Sequence, residues 1–406
     1  MPKKKEQPLK TYKVNILPSK EIIEIFKWIS EKCRGLYNRF LEIRIERDKN
    51  KEKQPTWQEQ VKLVRQLKEK EPGLCRIFSQ VLQDVPRRRV AETWQNYKEY
   101  KKINPKAKYP REKTPNRWYD TFTYPQFGFK LENNQLILSQ GRGEKELRIN
   151  VNLHRPIKGK IKTLTITWKK GKYYACFSCE VKHKSQMPLS EVKRKVGIDR
   201  GVINLLATSE GWKHTNPRFF KKGADKLTKL YQEMSRKKHK RFKDDNNENS
   251  KGFERAKLKL AQEFKKISNR MKDRNHKLSR KLVSVFDLIA YEDLKLKKMS
   301  EKKPNQKRKI NKYTVKSLQQ ASLRMLGDFT TYKVQETGKW VVFVNPKDTS
   351  QTCSKCHQKS LVKQELNDRI FICAFCENEL DRDINSAKNI LWKAQTELGT
   401  LSSERI

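Results

Sequence analysis

Apolar residues in the first hundred positions recur mostly at helical spacing, after one short alternating stretch. "TYKVNIL" (11–17) alternates and predicts a strand. Pro18 and Ser19 then open a long helix, with Ile22, Phe26, Ile29, Cys33, Leu36, Phe40 and Ile43 on one face. Pro72-Gly73 marks a break after a second helical stretch. "RIFSQVLQDVPRRRVAETWQNYKEY" is helical again, and Pro86 is expected to kink or divide it. Residues 19–104 therefore read as mostly helical. From about residue 118 the period falls to two. "DTFTYPQFGFKL", "QLILS", "ELRINVNL", "KTLTITWKK" and "KYYACFSCEVK" predict strands of a small antiparallel barrel or sandwich. The first strand would join it, making the helices an insertion. Phe122, Tyr124, Phe127 and Phe129 are expected in its core.

The pattern resets after "SQMPLSEVKRK". "KVGIDRGVINLLATSEGW" reads as two strands, and 217–282 as basic helices with a polar break at "DDNNENSKG". "VSVFDLIAYEDL" is a short apolar run with an acid at its end, and 296–312 reads as a basic loop. A helix ending near Gly338 precedes the strand "KWVVFV". Strands alternating with helices predict an α/β domain. The last helix is expected to open at Asp383, with Ile384, Ala387, Leu391, Ala394 and Leu398 on one face.

Length and charge sharpen this picture. A chain of 406 residues suggests about two or three domains. Lys and Arg total 94 against 46 acids, a net charge of +48. Such a surface repels itself unless an anion covers it, and nucleic acid is the expected cover because each phosphate contact releases a counterion. No apolar run approaches the ~20 residues of a membrane span. "MPKKK" has no apolar stretch behind it, so a secretory signal is not expected. Eight cysteines in a long, lysine-rich chain fit a reducing cytosol and a cytoplasmic, nucleoid-associated protein.

Two groups of residues carry candidate chemistry. Cys353, Cys356, Cys373 and Cys376 form CxxC–x16–CxxC, the spacing of two knuckles that together offer four thiolates to one structural zinc. Cys176 and Cys179 lie on a strand, where positions three apart face opposite ways, and predict no metal site. The acids Asp199, in "VGIDRG", and Glu292, in "IAYEDL", end apolar strands, and Asp383 sits at a helix mouth. Carboxylates so placed can converge on one sheet edge. They repel one another unless cations intervene, and two magnesium ions about 3.5–4 Å apart would meet that need. The expected reaction is in-line hydrolysis of a phosphodiester. Gly201 would let backbone or substrate come close.

"GIDRG", "IAYEDL" and "DRDINSAKNI" resemble the three motifs of a RuvC-like, RNase H-fold nuclease. "DTSQTCSKC" before a second CxxC resembles the transposon-encoded TnpB family, relatives of the compact type V CRISPR effectors. The likeness extends more loosely to "KCRGLYNRFLEIR", "SQVLQDV", "GKYYACFSCEV" and "RNHKLSRKLV". It implies a multidomain fold combining α/β, all-β and all-α parts. A wedge β-barrel would occupy 1–18 and 105–190, with a helical recognition lobe at 19–104 inserted in it. A RuvC-like nuclease domain would occupy 191–350 and 379–406, with a zinc ribbon at 351–378.

The resemblance also implies an RNA-guided DNA endonuclease directed by a transposon-end RNA to double-stranded DNA beside a short motif, with no protein partner required. Asp199, Glu292 and Asp383 would be catalytic ligands of two magnesium ions, and the four cysteines would hold one zinc. Asp381 would be a neighbour of the site and Asn385 a hydrogen bonder near the helix start. Gln80 and Gln83 are candidates for reading DNA, since glutamine can pair with adenine in the major groove. His357 and Glu377 stand where the family usually has Gly, which tolerates positive φ. A CRISPR-RNA-guided effector, an inactive DNA-binding repressor and a transposase are the alternatives; a complete acid trio argues against the repressor.

Overall fold

The structure is a computed structural model and describes residues 9–118, 121–169, 171–181, 184–237, 250–294, 322–360 and 368–399. It divides into two units, residues 1–182 and 183–406.

In the first unit, β1 (Leu9–Leu17) leads to α1 (Lys20–Lys49), which is capped by the Ser19 hydroxyl accepting from Ile22 N at 3.3 Å. The predicted stripe is the buried one, from Phe26 to Phe40. A capping box of Thr56 and Glu59 starts α2 (Trp57–Lys70). After a 3₁₀ turn at Pro72–Arg76 come α3 (Ser79–Asp84), a π-helical turn at Val85–Val90, and α4 (Ala91–Ile103). The helix therefore runs through Pro86 without dividing. Proline lacks an N–H, and the wider π turn takes up that missing rung of the ladder.

A short α5 (Pro115–Trp118) precedes six strands: β2 (Thr121–Tyr124), β3 (Phe129–Glu132), β4 (Gln135–Leu138), β5 (Leu147–Asn152), β6 (Lys160–Lys169) and β7 (Lys172–Glu180). With β1 they form one antiparallel sheet in the order β2-β6-β7-β1-β5-β4-β3. β1 lies between β7 and β5, so the helices do interrupt the sheet in sequence. The end strands β2 and β3 are joined by a link of four residues, which requires the sheet to curl on itself. The Tyr124 and Phe129 rings at the two ends lie 6.4 Å apart. Asn133 and Asn134, both at positive φ, make the tight β3–β4 turn.

Phe122 and Tyr124 are buried and Phe129 is partly buried, but Phe127 is 66% exposed. Pro125 ends the alternation, and Phe127 falls on the link rather than on a strand. Helices and sheet share one core, with the Phe26 ring 5.2 Å from Phe122 and 5.5 Å from Tyr173.

The second unit begins with β8 (Lys195–Asp199), β9 (Asn204–Thr208) and β10 (Lys213–Thr215). Helices α6 (Phe219–Lys222), α7 (Ala224–Arg236) and α8 (Lys251–Val285) follow, then β11 (Leu288–Glu292), α9 (Leu323–Thr337) and β12 (Trp340–Val344). A two-stranded ribbon, β13 (Ile370–Ile372) and β14 (Glu379–Asp381), runs into α10 (Arg382–Glu397). The basic loop expected at 296–312 lies outside the described residues.

The main sheet has the order β10-β9-β8-β11-β12, with β8, β11 and β12 parallel and β9 and β10 antiparallel. Every residue of β11 is buried, as befits a parallel strand covered on both faces. Ile289 and Tyr291 pack with Leu282 of α8 and Leu326 of α9, whereas Leu288 and Ala290 pack with Ile390 and Ala394 of α10. The apolar stripe of α10 is centred on Ala387, Ile390 and Ala394; Ile384 and Leu391 flank it half-buried.

Helix α10 lies close against β8 because Gly197 has no side chain. A Cβ there would fall 2.0 Å from the Ala387 carbonyl oxygen and 2.7 Å from Leu391 N. Both obstacles are backbone, so the helix itself would have to move. Gly197→Ala is expected to cost about 3 kcal/mol in denaturant unfolding of this unit. A midpoint within error of the wild type would contradict the tight packing.

Candidate active site and metal centre

Asp199 ends β8 and Glu292 ends β11, two neighbouring parallel strands, so both acids emerge at the same sheet edge. Asp383 arrives in the first turn of α10. Burial, followed by the nearby charges of Glu292 and Asp383, pushes the Asp199 carboxyl up to about 8. The structure thus brings the three sequence-predicted acids into one electrostatic site. Glu292 is only 9% exposed, and burial raises its pKa against the opposing effects of a Thr349 hydrogen bond and the Arg200 and Lys393 charges.

Each acid is held by groups of specific geometry. The Thr349 hydroxyl donates to Glu292 Oε1 and lies 3.1 Å from the Pro346 carbonyl. The Asn204 amide donates to Asp383 Oδ2 at 2.8 Å. Gly201 lets the Asn204 backbone approach, since a Cβ would meet the Asn204 carbonyl oxygen at 2.8 Å. Arg200 is buried and donates to the carbonyls of Glu292 (2.6 Å) and Leu323 (3.0 Å), tying the end of β11 to the start of α9.

Asp381, not Asp383, is the N-cap of α10. Its Oδ1 accepts from Asp383 N at 3.0 Å and Ile384 N at 3.2 Å, and its Oδ2 pairs with Lys213. Both oxygens are therefore engaged, and Asp383 is left free of capping.

The four CxxC cysteines form a compact cage. Their sulfurs all lie within 4.8 Å of one another, with Cys353–Cys376 at 3.7 Å and Cys356–Cys373 at 3.6 Å. Thiolates about 2.3 Å from a tetrahedral metal would be separated by about 3.8 Å, so the cage fits such an ion. Burial pushes the Cys373 thiol up, but backbone N–H groups and neighbouring sulfurs outweigh this and bring it to about 7. His357 and Glu377 follow the knuckles at φ 58° and 56°, and their N–H groups reach back to the carbonyls of Cys353 (3.0 Å) and Cys373 (2.9 Å). Non-glycine residues thus occupy the left-handed positions while the knuckle bonds stay intact. The His357 ring also stacks on Trp392, with centroids 4.3 Å apart. Cys176 and Cys179 are not members of the cage; they are half-buried and buried on β7.

The cage is tied to α10 by two buried amides: Asn385, expected as a hydrogen bonder near the helix start, and Asn389, which the sequence did not single out. Asn385 accepts from Ser354 N at 2.9 Å and donates to Thr352 O at 2.8 Å. Asn389, one turn later, donates to the Thr349 and Thr352 carbonyls at 2.9 and 2.6 Å. Apolar periodicity had no means of finding Asn389; a second asparagine at i+4 in "NSAKN" was the available signal. Gln80 is half-buried and accepts from Phe127 N at 3.4 Å, and Gln83 is half-buried on α3.

A family model described as "Probable transposase" matches residues 177–303, and one described as Cas12f1-like, TNB domain, matches residues 324–390. A Streptomyces pristinaespiralis protein, provisionally named an RNA-guided DNA endonuclease, is 27% identical over 70% of this chain and 65% of its own length. A TnpB-like protein of Acanthamoeba polyphaga mimivirus is 32% identical over 36% of this chain and 27% of its own. In fold, the chain is similar to Cas12f1 in its complex with single-guide RNA and target DNA. The TM-score is 0.59 at 13% identity, covering 95% of this chain and 99% of that one. Among the described residues, no helix is long and apolar enough to cross a membrane. Sequence and fold thus point the same way: the chain is similar to proteins named RNA-guided DNA endonuclease and TnpB-like, and in fold to Cas12f1.

Proposed function

We propose that the protein is an RNA-guided DNA endonuclease that hydrolyses phosphodiesters with Asp199, Glu292 and Asp383. The observation that carries this reading is that Asp199 and Glu292 end neighbouring parallel strands, and that the charges of Glu292 and Asp383, after burial, help push the Asp199 carboxyl up to about 8. The strand order, three antiparallel strands beside two parallel ones, supports a RuvC/RNase H-like nuclease domain over 191–350 and 379–406.

The three acids would hold two magnesium ions, which would offset the repulsion among their carboxylates. Magnesium bound there would lower the pKa of an attacking water and stabilise the leaving oxygen. The chain's own contribution is placement: Arg200 fixes the end of β11, and the Asp381 cap with Lys213 fixes the mouth of α10.

The four cysteines would hold one zinc in a ribbon over 351–378. Four thiolates leave no open position, so its role is structural. The curled sheet and its helical insertion, 1–18 with 105–190 and 19–104, would serve as wedge and recognition lobe. A charge of +48 suits a guide RNA and a DNA duplex together.

The guide would be a transposon-end RNA; the match to the Cas12f1-like TNB domain favours a CRISPR RNA as the second reading. Sequencing the RNA that purifies with the protein distinguishes them. A plasmid library matching that RNA should then be cut, with magnesium, next to one short motif. Random RNA fragments and an uncut library would overturn the proposal.

A further inference from the structure

Two of the three acids share an arrangement. Glu292 Oε1 accepts from the Thr349 hydroxyl, and Asp383 Oδ2 accepts from the Asn204 amide. Both donors are uncharged, so neither cancels the negative charge a cation needs. Each engages one oxygen of its carboxylate. The donors are themselves fixed: the Asn389 amide holds the Thr349 backbone carbonyl, and Gly201 admits the Asn204 backbone. Thr349 is buried, so water cannot readily take its place. Its hydroxyl has one proton and two acceptors within reach, Glu292 and the Pro346 carbonyl; the ionised carboxylate is the stronger.

We infer that Thr349 and Asn204 are positioning residues that limit Glu292 and Asp383 to one oxygen each toward a divalent ion, and so set the site's preference for magnesium over calcium. This rests on the proposed function above. Calcium accepts six to eight oxygens and readily takes both from one carboxylate, whereas magnesium demands six at near-ideal octahedral geometry and keeps its waters. A carboxylate with one oxygen already engaged suits the smaller ion. Freeing that oxygen favours the larger one.

The test counts bound Mn²⁺ by electron paramagnetic resonance on the full-length protein, with Mg²⁺ or Ca²⁺ as competitor. Each protein is read against its own Asp199→Asn counterpart, which removes ions held by co-purified RNA. Thr349→Val and Asn204→Ala are each expected to shift the Ca²⁺-to-Mg²⁺ competition ratio about 3- to 10-fold toward calcium, and Thr349→Ser to restore it. Weakening of both competitors in proportion, with an unchanged ratio, would mean the two residues are only structural and would overturn the inference. If the wild type and Asp199→Asn bind equal Mn²⁺, the acid site itself is refuted, and the proposed function fails with it.

Discussion

Asp199→Asn is expected to abolish cutting while making the magnesium-free protein more stable. Loss of cutting, about 10³-fold or more, follows if Asp199 holds the reacting ions, since an amide brings no charge to them. The gain in stability follows from the raised carboxyl. Burial first, and then Glu292 and Asp383, lift Asp199 from 3.8 to about 8. Between those pH values the folded state binds a proton that the unfolded state has released. Stability therefore falls as pH rises through that window and is lowest above pH 8.

Asparagine removes this cost. Asp199 is partly exposed as a residue, and the repulsion is shared with its neighbours. We therefore expect about 2 kcal/mol at pH 8 rather than the full value of the shift, shrinking toward zero near pH 4. Thermal melts in magnesium-free buffer at pH 8 and pH 5, beside a plasmid-cutting assay with magnesium, measure both effects. A variant that cuts normally, or that melts earlier at pH 8, would contradict the converging acids. The opposed signs fit a site that gives up stability for activity.

The second large effect is expected at the cysteine cage. Cys373→Ser should lower zinc from one per chain to near zero and reduce cutting roughly 10- to 100-fold, without unfolding the main sheet. Among the described residues the cage has little other core: its buried cluster is Cys353, Phe371 and Cys373. A two-stranded ribbon with so little to bury is not stable alone. Zinc binding, worth roughly 10 kcal/mol or more in small cysteine-ligated modules, would supply the difference.

The effect on cutting follows the chain. Strand β14 ends at Asp381, Asp381 caps α10, and Asp383 lies in that first turn. Asn385 and Asn389 link the same helix to the loop that carries Thr349, which contacts Glu292. A loosened ribbon thus disturbs two of the three acids. Metal analysis, limited proteolysis and cutting assays report on the three levels. A zinc-free variant with full activity would show that the ribbon does not order the site.

The parts of this site legible in sequence were those with a local signature. β8 and β11 were readable as apolar runs, each with an acid at the end where a parallel strand leaves the core. The CxxC pairs were readable because four thiolates at that spacing have few other uses. The start of α10 was read one residue late: in "DRD" both acids are competent caps, and only the folded ribbon decides that Asp381 takes the role.

Thr349, Asn204 and Asn389 act through partners far along the chain, which periodicity does not encode. Phe127 looked like core because alternation was extended across Pro125. Pro86 was expected to kink or divide its helix; division is ruled out because a π turn, which α-helix propensity does not consider, continues through it.

The order in which the elements leave the ribosome gives the acid site a timing. Asp199 emerges early in the second unit, and Asp383 belongs to the last helix described. At roughly 5–20 residues per second, on the order of ten to forty seconds of translation separate the two. Throughout that interval the nascent polypeptide already carries much of its positive charge, yet lacks Asp383. Under the proposed function, a guide RNA would be met before the third carboxylate exists, and cutting would wait on the translation of α10.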